Sequence, residues 1–161
     1  MGLSEILSPD HVSVAGATEG LVRTKNEAIR RLSVLLALRQ TVVTADEIEA
    51  LLGERERLQS TGVGGGVAIP HGSLDRLDRT IGAVLICPTP IAFDAIDGAP
   101  VSLFFAVIGP KRATGEHLKT LARVSRLLRP DMFREQLFGS RTGREAYELI
   151  AAVEGGRSPT P

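Results

Sequence analysis

Two long, almost uninterrupted apolar runs constrain the fold of this chain more than any other feature. They span Ile81–Cys87 and Val101–Ile108, and we expect Pro88 and Pro90 to end the first of them. A strand with one solvated face alternates polar and apolar residues, whereas a continuous apolar run is typical of a strand that is covered on both faces. The two runs therefore predict central strands of a sheet that has helices on each side.

Four segments carry the start signals and the apolar spacing of amphipathic helices. Three of them begin with a threonine that is followed three residues later by glutamate, at Thr24, Thr44 and Thr142, which is the pattern of a capping box. A fourth helix is predicted with Thr114 as its N-cap and Pro130 as its end. The inner positions predicted from the spacing are Ala28, Ile29, Leu32, Leu35 and Leu36, then Ile48, Leu51 and Leu52, then Leu118, Leu121, Val124, Ser125 and Leu128, and finally Ala146, Tyr147, Ile150 and Val153.

The chain length and the lack of a linker segment predict one domain. The 161 residues are 43% hydrophobic and 24% charged, which is ordinary globular composition and enough for a real core. Val67–Ile69 is predicted to add a short strand, and no linker rich in Pro, Gly or Ser divides the chain. We predict an α/β domain over residues 1–154 and a disordered tail over residues 155–161.

Charge and composition exclude several classes of function. Lys and Arg total 19 and Asp and Glu total 19, so there is no basic excess of the kind that binds nucleic acid or a membrane surface. No apolar stretch reaches membrane-spanning length, no signal peptide opens the chain, and the single Cys87 is predicted as a buried strand residue, which together indicate a cytoplasmic protein. Asp94 and Asp97 precede Gly98 and favour a turn over a metal site, and no zinc-type spacing of Cys and His occurs.

The stretch S-T-G-V-G-G-G-V-A-I-P-H-G, which ends at Gly72, carries the strongest chemical signal. Four of its first seven residues are glycine, which lets backbone N–H groups approach an anion, and Ser60 and Thr61 add hydroxyl donors. Pro70 stiffens the chain before His71. The segment lacks the lysine of a Walker A loop and the spacing of a dinucleotide fingerprint. It predicts an anion site with His71 as a nucleophile, while a non-catalytic binding module with a structural histidine remains the alternative.

Two further candidates, His117 and the pair Arg55 and Arg57, each have a functional and a purely structural interpretation, and His11 has no functional one. If Thr114 is the N-cap, His117 is the third helical residue, where the helix dipole favours a neutral imidazole that can donate to a phosphoryl oxygen; the alternative is an exposed residue at a polar helix start. Arg55 and Arg57 end the second helix and are either a solvated charged end or partners of a bound phosphoryl group. His11 has no supporting context and is predicted to lie at the surface.

These motifs together resemble enzyme IIA of the bacterial phosphoenolpyruvate-dependent sugar phosphotransferase system, of the fructose/mannitol type, and within it the stand-alone nitrogen-regulatory branch. The similarity runs from about residue 5 to about residue 150. Its most specific parts are Ser60–Gly64 with Ala68–Gly72, then Pro90–Asp97, and then His117-Leu118 with Leu121-Ala122.

The resemblance implies a mixed central sheet with helices on both faces, and a role for each matching residue. It implies that His71 accepts a phosphoryl group on Nε2 from an HPr-like carrier, that His117 supports the phosphorylated ring, and that Arg55 is the family's arginine. We expect no metal and no cofactor. The expected phosphate-binding residues are Ser60, Thr61, Gly62 and Gly64.

The resemblance leaves two roles open. A sugar-specific protein would pass phosphate to a IIB component, whereas a regulatory protein would bind a target according to its phosphorylation state. The chain carries no IIB, IIC or HPr-like domain, which we expect to favour regulation. Gly65 stands where many relatives have asparagine and Ser73 where relatives often have lysine, so we expect a more flexible loop and an altered docking surface.

Overall fold

The two apolar runs form the central strands of the sheet. The structure is a computed structural model that describes residues 2–16 and 18–155. In it β5 (Ile81–Ile91) and β6 (Val101–Pro110) pair antiparallel. The prediction that Pro88 and Pro90 end the first run was wrong. Pairing with β1 ends at Ile86, and the register with β6 shifts between Ile86 and Ile91, so residues without an N–H are tolerated in between.

Four shorter strands complete one mixed sheet in the described part of the chain, with the order β1-β5-β6-β3-β2 and with β4 also beside β6. β1 (Val12–Val14) lies parallel to β5. β3 (Val67–Ala68) and β4 (His71–Leu74) follow each other along β6 and run parallel to it, and β2 (Gly62–Gly64) folds back antiparallel onto β3. The expectation of an α/β fold with a mixed sheet is confirmed.

The three predicted threonine caps are present. The side chains of Thr24, Thr44 and Thr142 each accept the backbone N–H three residues on, and at Thr44 the glutamate of the capping box also reaches back. Two short helices, α1 (Leu3–Ile6) and α5 (Asp131–Phe138), carry no such signal in the sequence and were not predicted. The helices are α1 (Leu3–Ile6), α2 (Lys25–Ala37), α3 (Ala45–Leu58), α4 (Thr114–Leu127), α5 (Asp131–Phe138) and α6 (Gly143–Glu154).

The start and the inner face of α4 differ from the prediction. Thr114 is its first residue rather than its N-cap, because the threonine hydroxyl donates to the carbonyl of Lys111 at 3.0 Å, so His117 is the fourth helical residue. The helix ends at Leu127, before Pro130. Leu118 and Ser125 are exposed, not inner, whereas Val124 and Leu128 are buried as predicted and the buried stripe also includes two residues that were not predicted. That stripe consists of His117, Val124, Leu127 and Leu128.

The core lies on both faces of the sheet. Leu85 and Phe104 point to the face that α2 and α3 cover, while Val84 and Phe105 point to the face covered by α1, α4, α5 and α6. Cys87 is buried as predicted. None of the helices in the described ranges is long and apolar enough to cross a membrane. Most of the predicted tail, residues 156–161, lies outside the described residues.

Candidate functional site

His71 opens strand β4, where the chain leaves β3 and continues along the same edge of β6. Its ring Nδ1 lies 2.7 Å from the carbonyl oxygen of Ile69. A carbonyl only accepts hydrogen bonds, so Nδ1 carries the proton and the lone pair of the neutral ring is on Nε2. Burial lowers the pKa of His71, and although the Ile69 hydrogen bond opposes this, the pKa stays below its usual value with Arg55 adding to the lowering. The ring is therefore neutral at neutral pH, with an unshared electron pair on Nε2.

His117 lies beside His71. The two ring centroids are 6.0 Å apart and the ring planes are inclined by 49°. His117 is buried, and burial followed by the neighbouring His71 lowers its pKa. The first turn of α4 thus places a second neutral imidazole next to the first, which is suited to hydrogen bonding with a group bound at His71 rather than to ion pairing.

Two cavities meet at His71. The larger, of about 590 Å³, has His71, His117 and Arg55 in its wall. The smaller, of about 250 Å³, shares His71 and Arg55 and adds Ser60 and Thr61. Arg55 is tied to the end of its own helix by a 2.8 Å bond from Nη1 to the Gln59 carbonyl, which leaves the other guanidinium N–H groups to serve the cavity. Arg55 and His71 therefore border the same two cavities.

The predicted phosphate-binding residues are largely engaged within the protein. The hydroxyl of Ser60 donates to the carbonyl of Phe93 at 3.1 Å and accepts the N–H of Gly62 at the same distance. Gly64 is in the wall of a different cavity from His71. In this conformation these residues shape the segment, and their role as phosphate ligands stays a prediction.

In the turn between β2 and β3, glycine at position 65, where many relatives have asparagine, leaves room for a neighbouring side chain. Gly64, Gly65 and Gly66 all have positive φ, and the N–H of Gly65 donates to Asp97 at 3.2 Å. A Cβ at Gly65 would lie 3.2 Å from the guanidinium carbon of Arg134. Arg134 therefore packs over this glycine, in the space that a longer side chain would need.

Glu56, which was not predicted as a site residue, holds the segment beside His71. It is 7% exposed, and its Oε1 accepts the N–H of Thr61 at 3.0 Å and the hydroxyl of Thr61 at 2.5 Å. Its Oε2 pairs with Nζ of Lys25 at 2.9 Å. Burial raises the pKa of Glu56, but the hydrogen bonds from Thr61 and Lys25 outweigh it and leave the pKa lowered. The spacing contained the signal, because Glu56 is four residues after Leu52 and so continues the buried face of α3.

The remaining candidates lie elsewhere. The prediction that His11 is a surface residue was wrong: it is 8% exposed and its Nδ1 lies 2.7 Å from the hydroxyl of Ser8, because the chain turns directly into buried β1. The carboxylate of Asp97 accepts the N–H groups of Gly65 and Ala99, as expected of a turn. Among residues 2–16 and 18–155 there is no group of three His, Cys, Asp or Glu that could hold a metal ion.

Several known proteins are similar in sequence to this chain. The family described as "Phosphoenolpyruvate-dependent sugar phosphotransferase system, EIIA 2" matches residues 8–153. A "Nitrogen regulatory protein" of Bradyrhizobium diazoefficiens is 35% identical over 151 residues, covering 94% of this chain and 95% of the relative. A fructose-specific EIIA component of Haloferax volcanii is 34% identical over 106 residues, covering 66% of this chain and 68% of the relative.

Solved structures show the same fold. The nitrogen regulatory protein IIA-Ntr of Neisseria meningitidis has a TM-score of 0.81 and 34% identity, covering 91% of this chain and 97% of that one. The complex of the mannitol enzyme IIA with phosphorylated enzyme IIB from Escherichia coli contains a chain with a TM-score of 0.69 at 21% identity, covering 86% of this chain and 99% of that one. Domains of this kind accept phosphate and pass it on. The sequence match and the shared fold place the chain in the EIIA 2 family of the phosphoenolpyruvate-dependent sugar phosphotransferase system.

Proposed function

We propose that this protein is a phosphocarrier in which Nε2 of His71 takes a phosphoryl group from the phosphohistidine of an HPr-like protein and passes it to an acceptor protein. One observation carries the proposal. The hydrogen bond between Nδ1 and the Ile69 carbonyl reserves Nε2 for attack, in a ring that borders both cavities and lies beside His117.

The proposed transfer is an in-line displacement at phosphorus. The lone pair of His71 Nε2 forms the new N–P bond while the N–P bond of the donor breaks, and the donor imidazole keeps that electron pair. Enzymes achieve such transfers mainly by positioning the reactants and stabilising the oxygen charges. Arg55 and an N–H of His117 are proposed to meet those oxygens. Further donors are proposed at Ser60, Thr61, Gly62 and Gly64.

The surface around the site favours a protein as the donor and the acceptor. Leu58, Val63, Ile96 and Leu118 are each more than half exposed, and the first three also border the cavities at His71. Exposed apolar side chains grouped around a polar centre are typical of a protein–protein contact. A Leu118→Glu change should therefore slow phosphorylation by the carrier at low carrier concentration and leave the fold intact.

We propose a regulatory, cytoplasmic role, in which the phosphorylation state of His71 decides which target protein is bound. The nitrogen regulatory relatives support this. The second candidate is a sugar-specific role, which the fructose-specific relative and the mannitol IIA–IIB complex support. Capture of target proteins by the phosphorylated and unphosphorylated forms distinguishes the two. A IIB component recovered as the acceptor would favour sugar uptake, and a non-transport target bound by one form alone would favour regulation.

The direct test is phosphate incorporation from a purified, phosphorylated HPr-like carrier, measured by intact mass. We expect one phosphoryl group on the wild-type protein and none on His71→Ala. The His117→Ala variant should still accept phosphate but pass it slowly. His11→Asn, a change at a histidine away from the site, is the control and should behave as the wild type. Stoichiometric labelling of His71→Ala would exclude His71 as the acceptor.

A further inference from the structure

The imidazole of His117 has one nitrogen without a partner. Its Nδ1 is buried and makes no hydrogen bond within the described ranges. A buried nitrogen that lacks a partner is unfavourable, and such atoms are rare in native proteins. Since Nδ1 and Nε2 of a neutral ring share one proton, the partner of Nδ1 decides whether Nε2 carries that proton and can donate it.

The hydroxyl of Thr80 is a second polar group without a partner. It lies on the same side of Gly109 in β6 as Nδ1 of His117. A Cβ built on Gly109 would lie 3.3 Å from Nδ1 of His117 and 3.1 Å from Oγ1 of Thr80, so both atoms border the same small space. Thr80 directly precedes β5 and is 8% exposed. In the part of the chain that the structure describes, its hydroxyl makes no hydrogen bond. The glycine leaves the space between the two groups open.

We propose that Thr80 is a positioning residue for His117: its hydroxyl turns onto Nδ1 and donates to it. Rotation about the Cα–Cβ bond moves the hydroxyl without moving the strand. A donor at Nδ1 places the proton of the neutral ring on Nε2, which then donates to a phosphoryl oxygen on His71. The opposite tautomer would present a lone pair of Nε2 to an oxygen that carries lone pairs itself, which is repulsive. Burial and the neighbouring His71 both lower the pKa of His117 and so keep the ring neutral.

The catalytic part of this inference rests on the proposed function, whereas the contact itself does not. The first experiment therefore uses the unphosphorylated protein, with ¹⁵N-labelled histidine rings observed by NMR. We expect the Nδ1 signal of His117 in the wild type to be that of a hydrogen-bonded acceptor. Thr80→Val, which keeps the shape and removes the hydroxyl, should shift that signal, and Thr80→Ser should restore it. Thr120→Val, on the same helix as His117, is the matched control and should leave the signal unchanged.

The second experiment measures the rate at which each phosphorylated variant passes its phosphate to an acceptor. We expect Thr80→Val to be about 5- to 10-fold slower than the wild type, and Thr80→Ser to be within 2-fold of it. An Nδ1 signal of His117 that is identical in the wild type and Thr80→Val would overturn the contact. A shifted signal with an unchanged transfer rate would overturn the positioning role. Loss of phosphate uptake by every variant, the wild type included, would instead refute the proposed function and leave the NMR result standing.

Discussion

Replacing Glu56 with glutamine should loosen the segment beside His71 without removing its shape. In the folded protein the carboxylate accepts two hydrogen bonds from Thr61, at 3.0 and 2.5 Å, and pairs with Lys25 at 2.9 Å. The amide oxygen of Glu56→Gln still accepts from Thr61, but its NH₂ group then faces the ammonium of Lys25. We therefore expect both the stability of the protein and the rate of phosphate uptake to fall.

The size of the stability loss follows from these contacts. A hydrogen bond to a charged group contributes about 1.5–3 kcal/mol and a neutral one about 1 kcal/mol, and breaking a buried pair on one side costs about 3–5 kcal/mol. Lys25 keeps two other partners, the Phe93 carbonyl at 3.2 Å and Asp94 at 3.7 Å, so its charge is not left unpaired. We expect Glu56→Gln to lower the free energy of unfolding by about 2–3 kcal/mol, and Glu56→Ala by about 3–5 kcal/mol.

The pH dependence of the free energy of unfolding distinguishes an effect of the Glu56 charge from a purely steric effect. The pKa of Glu56 in the folded protein is lowered from an ordinary value of 4.5, since hydrogen bonds outweigh burial. As the pH falls, the unfolded state therefore binds the proton before the folded state does. The stability contributed by Glu56 is present above pH 4.5 and is lost as the pH falls through the folded-state pKa. In urea unfolding, the difference between the wild type and Glu56→Gln should shrink below pH 4.5. A difference that stays constant with pH, or one below about 0.5 kcal/mol at pH 7, would refute this account of the cluster.

Three further changes test the packing and the chemistry of the site. Gly72→Ala would bring a Cβ within 2.7 Å of Leu51 Cγ, so we expect a loss of about 1–3 kcal/mol in urea unfolding that Leu51→Ala partly relieves. Gly143→Ala would place a Cβ 1.8 Å from the backbone oxygen of Val12, and since that atom cannot rotate away, we expect thermal unfolding to show a larger loss than at Gly72. The rate of phosphate uptake should fall in acid as His71 Nε2 is protonated; because its pKa is lowered from 6.5, the fall should occur below pH 6.5, and a midpoint above that value would contradict the assigned burial.

Much of the fold follows from local signals in the sequence. The two apolar runs predicted the central strands, and the threonine–glutamate pairs at Thr24, Thr44 and Thr142 predicted three helix starts, because these signals depend on residues close together in the chain. The strand β4 was not predicted, since its four residues are half-buried and carry no alternation. Strand order depends on contacts between distant segments and could not be read from spacing.

The errors concern residues whose environment depends on the tertiary structure. Pro88 and Pro90 remain in a strand because β1 ends early and the register with β6 shifts beside them. His11 is buried because β1 follows it at once. Glu56 was not singled out because it lies between Arg55 and Arg57 in the sequence, but the face of α3 on which it lies turns toward Thr61. A chemical role for His71 was predicted from the sequence and stays a prediction, whereas the hydrogen bond between Nδ1 and the Ile69 carbonyl depends on the fold.

The identity of the phosphorylated atom tests the central claim most directly. The protein is phosphorylated by the HPr-like carrier with ¹⁵N-labelled histidine rings, kept at alkaline pH, and the nitrogen–phosphorus coupling is measured by NMR. We predict a single coupling, to Nε2 of His71, with Nδ1 of the same ring remaining protonated. A coupling to Nδ1 of His71, or to a ring nitrogen of His117, would contradict the account.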